Sequence, residues 1–482
     1  MFMVDPGCCF CKIKLFTTMN SKELIRLGVP LGEPIRRGMD FLSRYVLGGG
    51  DPAHLAEEVE ALVGNPDLFV EDPLRADFAK ALVRAPRPLR RYPAPYRQWG
   101  SDLEEEAVLQ MERACLLPVA VSGALMPDAH IGYGLPIGGV LATENSVVPY
   151  AVGVDIACRM KMTVLDLPIR DLERKRARFV GAIEKETRFG IGSHFRERRH
   201  HGVLDVDWNV SPVTRSNKDR AWAQLGTSGS GNHFVEFGVF EAGEEIRGLP
   251  PGQYLALLSH SGSRGTGAAV CDHYSKLALR LHPELPRELS RLAWLRLDEP
   301  EGREYWDAME LMGHYAAANH ALIHEHVATH LGAEVLLDLE NHHNFAWKET
   351  HRIGGVDRDV VVHRKGATPA GSGVLGIIPG SMATPGFVVR GRGNPDSLNS
   401  AAHGAGRVMS RKVACKRFGW EEVRRVLQKK GVSLISAGLD EVPMVYKDIH
   451  RVMQAQSDLV EVVGQFDPKL VKMAPPGERA ED

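Results

Sequence analysis

The chain has 482 residues, a formal net charge of −2, 44% hydrophobic residues and 25% charged residues, the balance of a globular protein and not of a disordered or fibrous one. No apolar run approaches the roughly 18 residues that cross a bilayer, and the opening stretch lacks a long apolar core followed by a small-residue cleavage site, so the expectation is a cytoplasmic protein with no membrane partner. Near-neutral charge excludes a uniformly basic nucleic-acid binder, and any affinity for a polyanion must come from local patches such as Arg196, Arg198 and Arg199, or Arg407, Arg411, Lys412, Lys416 and Arg417.

In chain order, Cys8, Cys9 and Cys11 form a cluster whose spacing matches no zinc knuckle. The other cysteines, at 115, 158, 271 and 415, stand singly, which points to a reducing compartment and not to a disulfide framework. Met19-Asn20-Ser21 is a better candidate translation start than Met1. Residues 20–84 read as short helices. Asp51-Pro52 and Asp72-Pro73 each place a capping side chain before proline, and Leu55, Val59, Leu62 and Val63, then Leu74, Phe78 and Leu82, follow at helical spacing. The stretch 85–98, with four prolines and four arginines, reads as an extended linker. This gives a helical accessory module over 1–84, a linker over 85–98 and a catalytic domain over 99–482. In the last part, glycine-rich turns alternate with β-branched runs such as Val360–Val362 and Phe387–Val389. Helical stretches are expected at 162–187, 303–331 and 420–432, which makes the fold class mixed α+β.

Seven islands in this part concentrate histidine, cysteine, aspartate and glycine: 126–139, 152–158, 226–236, 259–267, 341–344, 363–367 with 377–382, and 403–411. Asp155 and Cys158 are three apart, while His233, His260 and His343 lie in separate turns. One carboxylate, one thiolate and three imidazoles suit borderline divalent cations, and the thiolate has lone pairs to bridge two of them. A lone histidine in a turn is more often a hydrogen-bonded structural residue, so only convergence of the set would make it a site. The turns Gly229–His233 and Ser261–Gly265 offer free amides for phosphate, but neither is a Walker A loop or a dinucleotide fingerprint. His403 enters the turn His-Gly-Ala-Gly-Arg. It reads equally as an exposed imidazole nucleophile, with Arg407 beside the phosphoryl oxygens, or as a buried histidine in a capping turn. The pairs His320/His324 and His326/His330 have zinc-compatible spacing but no HExxH glutamate, and are set aside.

The islands GTSGSGNHFVE, HSGSRG, HRKGA, IIPGSM, HGAGRVMSR, DEVPMVYKDI and AQSDLVEV resemble those of the RtcB-type RNA ligases, over about residues 99–472. The resemblance implies an enzyme of tRNA splicing or RNA repair that joins a 3′-phosphate or 2′,3′-cyclic phosphate end to a 5′-hydroxyl end. GTP and two manganese ions are the implied cofactors and RNA the partner. It also implies roles. Asp155, Cys158 and His233 would hold one manganese, and Cys158, His260 and His343 the second. His403 would accept GMP. Asn232, His233, Phe234, Val235 and Glu236 would border the guanylate, with Glu236 reading the guanine edge. His343, Asn344, Pro379, Gly380, Ser381, Met382, His403, Gly404, Ala405, Gly406, Tyr446 and Lys472 would complete that pocket, and Asp128 would be a supporting acid. A monomer is the default, and the need for an activating protein partner stays open.

The chain departs from the pattern at four places. Arg159 stands where the family has glycine after the metal cysteine, Gly386 where it has a serine touching the nucleotide, and His320 where it has arginine. The tail near Lys472 is one residue shorter than the family's. Arg159 and Gly386 motivate a second reading, an end-processing enzyme that does not seal; a third is a non-catalytic RNA binder.

Overall fold

The computed structural model describes residues 19–85 and 89–478, so the Cys8/Cys9/Cys11 cluster lies outside the described residues. The chain divides between Leu89 and Arg90 into two compact units. Among its described residues the first carries the α-helices Ser21–Arg26, Glu33–Leu47, Leu55–Gly64 and Ala76–Arg84. Asn20 and Glu23 close a capping box, and Asp51 accepts the Ala53 amide at 2.9 Å. Asp72 accepts the amides of Leu74 and Arg75, just ahead of the last of these helices. The apolar positions at helical spacing, Leu55, Val59, Leu62, Phe78 and Leu82, pack with Leu24, Phe41 and Leu42 into this unit's own core.

The second unit opens in the proline-rich stretch. The amides of Arg90 and Ala94 donate to the carbonyls of Leu116 and Cys115, both at 2.8 Å, and Tyr96–Gln98 pairs in parallel with Gly123–Leu125. The expected linker is therefore extended but not free in its second half. Proline confines a strand to a sheet edge without preventing it, and that is where this one lies.

Among the described residues two large sheets organise the unit. The five-stranded one runs Tyr96–Gln98, Ala120–His130, Ile137–Thr143, Val356–Lys365, Asn344–Ile353. The eight-stranded one runs Leu375–Ile378, Gly386–Gly391, Val460–Met473, Phe234–Ala242, Gly252–Ser261, Arg159–Leu165, Val335–His342, with Ser433–Ser436 paired to Val460–Met473 off that path. The helix Pro300–His330 packs against the strands Arg159–Leu165 and Gly252–Ser261. This is the mixed α+β class expected. Among the described residues no helix is long and apolar enough to cross a membrane.

One expected helix is corrected. The stretch 162–187 begins as the end of the strand Arg159–Leu165, and its helices are Asp171–Arg174 and Arg176–Glu186. Met160, Met162 and Val164 face one core, while Arg159, Lys161 and Thr163 are buried on the other side against polar partners. That alternation of polar and apolar residues from Arg159 to Val164 is the period-two signal of a strand, and the helices begin only after it ends.

Candidate active site

Three neighbouring strands of the eight-stranded sheet build one wall. Cα pairing sets Phe234 opposite His260 and Met473, and Glu236 opposite Leu258 and Val471. All six residues line one cavity, because alternate residues of paired strands share a face. The same period of two sends the intervening residues the other way. Val235 is fully buried in a different apolar cluster, and the Lys472 ammonium lies 5.6 Å from the Phe189 ring centre. Neither is among the residues that line this cavity. Asn344 is engaged within the protein. Its side chain accepts the Gly366 amide at 2.8 Å and donates to the Asp155 carbonyl at 3.3 Å, which ties two site loops together behind the cavity.

The opposite wall comes from loops. Asn232, Pro379, Gly380, Ser381, Met382, His403, Gly404, Ala405, Gly406 and Tyr446 all line the cavity. Gly386 lines it as well. A Cβ there would sit 3.3 Å from Pro379 Cα, so a larger residue would press on the loop.

The five ligand candidates converge. Asp155, Cys158 and His233 offer ligand atoms all within 4.8 Å of one another, as do Cys158, His260 and His343, and Cys158 belongs to both groups. Its Sγ lies 3.0 Å from His260 Nε2 and 3.5 Å from His233 Nε2. His260 Nε2 is 3.2 Å from His343 Nε2, and Asp155 Oδ2 is 3.1 Å from His233 Nε2. Backbone carbonyls orient two of the rings: His233 Nδ1 contacts Ser228 O at 3.0 Å and His260 Nδ1 contacts Asn232 O at 3.1 Å, leaving each Nε2 for a cation. The loops hold unusual backbone to do this. Gly229 adopts φ +90°, and a Cβ on it would lie 2.0 Å from the Arg264 guanidinium.

Electrostatics match the geometry. Burial lowers His260 to about 3 and His343 well below the ordinary imidazole value, so both rings are neutral and ready to ligate. Burial opposes ionisation of Asp155, but the adjacent His233 and Arg264 hold its carboxyl below the usual carboxylate value. A buried anion, a thiol and three imidazoles could hold one or two divalent metal ions.

His403 follows the strand Ser400–Ala402 and lies beside this cluster, its ring centre 4.9 Å from that of His343. Fully buried Asp128, from the strand Ala120–His130, holds it. Asp128 Oδ2 is 2.7 Å from His403 Nδ1 and also accepts the amides of His403 and Gly404 at 3.1 and 3.3 Å. Asp128 Oδ2 is placed to accept a proton from Nδ1, which leaves Nε2 as the ring nitrogen it does not engage. The contact joins residues 275 apart in sequence.

Several lining residues escaped the sequence reading. Buried Glu441 accepts from Arg407 at 3.2 Å and binds Arg411 and the Tyr446 hydroxyl, which fixes the far rim. Its signal was the word DEVPMVYKDI. His130, inside the MPDAH island, also lines the cavity, with burial lowering it to about 4. Glu236 is 95% buried, and desolvation raises its carboxyl well above the ordinary value.

Two further departures, Arg159 and His320, resolve structurally. Arg159 is 5% exposed and turns away from the cavity, donating to Gly313 O at 3.0 Å and pairing with Glu340 at 3.3 Å. His324 bridges Thr163 and Ser259 at 2.7 and 2.8 Å, and His320 contacts Ser259 at 3.0 Å, which makes the pair a buried hydrogen-bond layer. His326 and His330 face Glu186.

Comparison with known proteins converges on one family. Residues 110–207 and 202–473 match the family model described as tRNA-splicing ligase RtcB. The RNA-splicing ligase RtcB of Escherichia coli (strain K12) is 35% identical over 413 residues, covering 77% of this chain and 95% of that protein. The tRNA-splicing ligase RtcB of Methanococcus maripaludis is 32% identical over 449 residues, covering 78% and 92%. The RNA-splicing ligase RtcB of Mycobacterium tuberculosis is 31% identical over 431 residues, covering 75% and 99%.

Proposed function

Because the chain belongs to the RtcB family of RNA-splicing ligases, we propose that it joins RNA 3′-phosphate or 2′,3′-cyclic phosphate ends to 5′-hydroxyl ends, with GTP as cosubstrate and His403 as the GMP carrier. The observation that carries this reading is the Asp128–His403 pair set against the two metal-competent groups that share Cys158. The donor set fits two manganese ions, one on Asp155, Cys158 and His233 and one on Cys158, His260 and His343. Bound there, the cations would offset charge on the reacting phosphoryl oxygens.

His403 Nε2 attacks the α-phosphorus of GTP. An N–P bond forms, the bond to the β-phosphate bridge breaks, and pyrophosphate leaves. Asp128 stabilises the positive charge that the imidazole gains in this step. A cyclic phosphate end is first opened by water to a 3′-phosphate. An oxygen of that phosphate then attacks the phosphorus on His403; the N–P bond breaks and RNA-(3′)pp(5′)G forms. The 5′-hydroxyl of the second strand attacks the RNA phosphorus, GMP leaves and a phosphodiester remains. Activation is needed because a phosphate monoester lacks a good leaving group. Glu236 suits the N–H edge of guanine, since an ionised carboxylate accepts two hydrogen bonds side by side, and Arg407, which lines the cavity, would supply positive charge toward the phosphates.

The orientation of Arg159 removes one motive for an end-processing enzyme that fails to seal. The test is to incubate the protein with GTP, manganese and a 3′-phosphate/5′-hydroxyl RNA pair. Joined product that His403→Ala abolishes supports the ligase. Capped or opened ends without joining would favour the processing enzyme, and no reaction by the wild-type protein would favour a binder. The accessory role of the N-terminal helical unit and a cytoplasmic, monomeric state belong to the same proposal.

A further inference from the structure

The two basic patches visible in the sequence have different fates. In the first, Arg199 is buried on Glu186 at 2.8 Å and Arg198 is matched by Asp219 at 2.5 Å. In the second, Arg407 and Arg411 are engaged by Glu441 and Asp440 at the cavity rim. Lys412, Lys416 and Arg417, however, are exposed and form no ion pair among the described residues. They lie on the helix Arg411–Arg417, which follows His403 directly through the turn 404–410. The next helix, Trp420–Lys430, adds exposed Arg424, Lys429 and Lys430. Residues 411–430 hold eight Lys and Arg against two Glu, in a chain whose net charge is −2. Such a concentration next to a reactive pocket selects a polyanion. Half-buried Trp420 lines two adjoining surface grooves, one shared with Lys412 and Lys416 and with Glu478 at its edge, the other with Arg424 and Gln428.

We infer that these two helices bind the phosphodiester backbone of an RNA strand whose end enters the His403 cavity, with Trp420 offering its ring to an unpaired base. Cations set along a groove with an aromatic ring between them are what single-stranded nucleic acid uses, phosphate by phosphate and base by base. An acidic protein segment would match the charge and leave the tryptophan without a role. This inference rests on the ligase reading, because it takes the occupant to be the RNA substrate.

The test compares wild type with a Lys412→Gln/Lys416→Gln/Arg417→Gln variant and a charge-preserving Lys412→Arg/Lys416→Arg/Arg417→Lys variant. All three positions are exposed, so the fold is retained and is checked by the melting transition. The probe is a labelled single-stranded oligoribonucleotide ending in a 3′-phosphate, titrated across a salt series. Each phosphate contact on a single strand contributes about 0.7 to the slope of log affinity against log salt. Three lost contacts therefore lower the slope by about 2 and weaken binding at about 0.1 M salt by up to roughly a hundredfold. Covalent labelling by GTP needs no RNA and stays at the wild-type level, and the charge-preserving variant binds as wild type does. An unchanged affinity and slope in the glutamine variant overturns the inference and leaves the surface to a protein partner. Failure of the wild-type protein to label with GTP while RNA binding still falls would sink the ligase reading and leave the surface standing.

Discussion

Asp128→Asn isolates the part of the account that makes His403 reactive. The substitution keeps the shape of the side chain, and Asn can present its oxygen to the three donors now on Oδ2. Its amide nitrogen then takes the place of Oδ1, which is buried and has no hydrogen-bond partner among the described residues. The fold should survive. What is lost is the charge facing the imidazolium that forms as Nε2 attacks phosphorus. With Nδ1 2.7 Å from Oδ2, the charge centres are roughly 4 Å apart, and at an effective dielectric of about 20 that pair is worth up to about 4 kcal/mol. Part of this is already present as a hydrogen bond in the ground state, which leaves about 2–4 kcal/mol, or roughly thirty- to a thousandfold in rate. The assay is single-turnover formation of protein-bound GMP from α-labelled GTP at saturating manganese, with bound metal measured in parallel. Labelling by Asp128→Asn at the wild-type rate, with metal content unchanged, would refute the role given to this carboxylate.

Cys158 belongs to both ligand groups, so Cys158→Ser should drop bound manganese from two ions per chain to one or none; elemental analysis after gel filtration reads this, and two retained ions would show that the thiolate is not shared. Glu236 is held well above the ordinary carboxylic value by burial. On the proposed reading the ionised form accepts the guanine N–H groups and is lost as pH falls through that raised value, so GTP binding should weaken toward acid while Glu236→Gln binds more weakly overall with a flat profile; equal pH profiles for the two proteins would remove Glu236 from guanine recognition. Burial lowers His130 and His363 to about 4 and His342 to about 3, against about 6.5 in the unfolded chain. The unfolded state takes up protons first on acidification, so stability is full above about pH 6.5 and falls below it by up to about 1.4 kcal/mol per pH unit for each histidine; urea midpoints of the metal-free protein at about pH 7.5 and 5 check this, and equal midpoints would contradict it.

The sequence showed the chemistry better than the geometry. Asp155 and Cys158 were legible because they sit three apart in one turn, and the histidines because each stands in a glycine- or asparagine-rich loop where a packing role is weak. Their convergence was not legible, since the loops meet only when the strands Phe234–Ala242, Gly252–Ser261 and Arg159–Leu165 pair. The Asp128–His403 contact spans 275 positions and has no local signature. A resemblance transfers a residue's name but not the face of the strand it occupies, and the pairing of Lys472 with Val235 was not readable from the sequence. Arg159 looked like a catalytic novelty beside the metal cysteine, but the next position on a strand points to the opposite side. The helices of the first unit were legible through their caps and apolar spacing, whereas Tyr96–Gln98 joined a sheet edge that only the partner strand could reveal.

The most direct measurement is to mix the protein with α-labelled GTP and manganese, digest it under alkaline conditions that spare phosphoramidates, and locate the label by mass spectrometry. The account predicts one GMP, carried on the peptide that contains His403 and absent from His403→Ala. A guanylate found on another residue, or a chain that stays unlabelled with both metal groups filled, would contradict it.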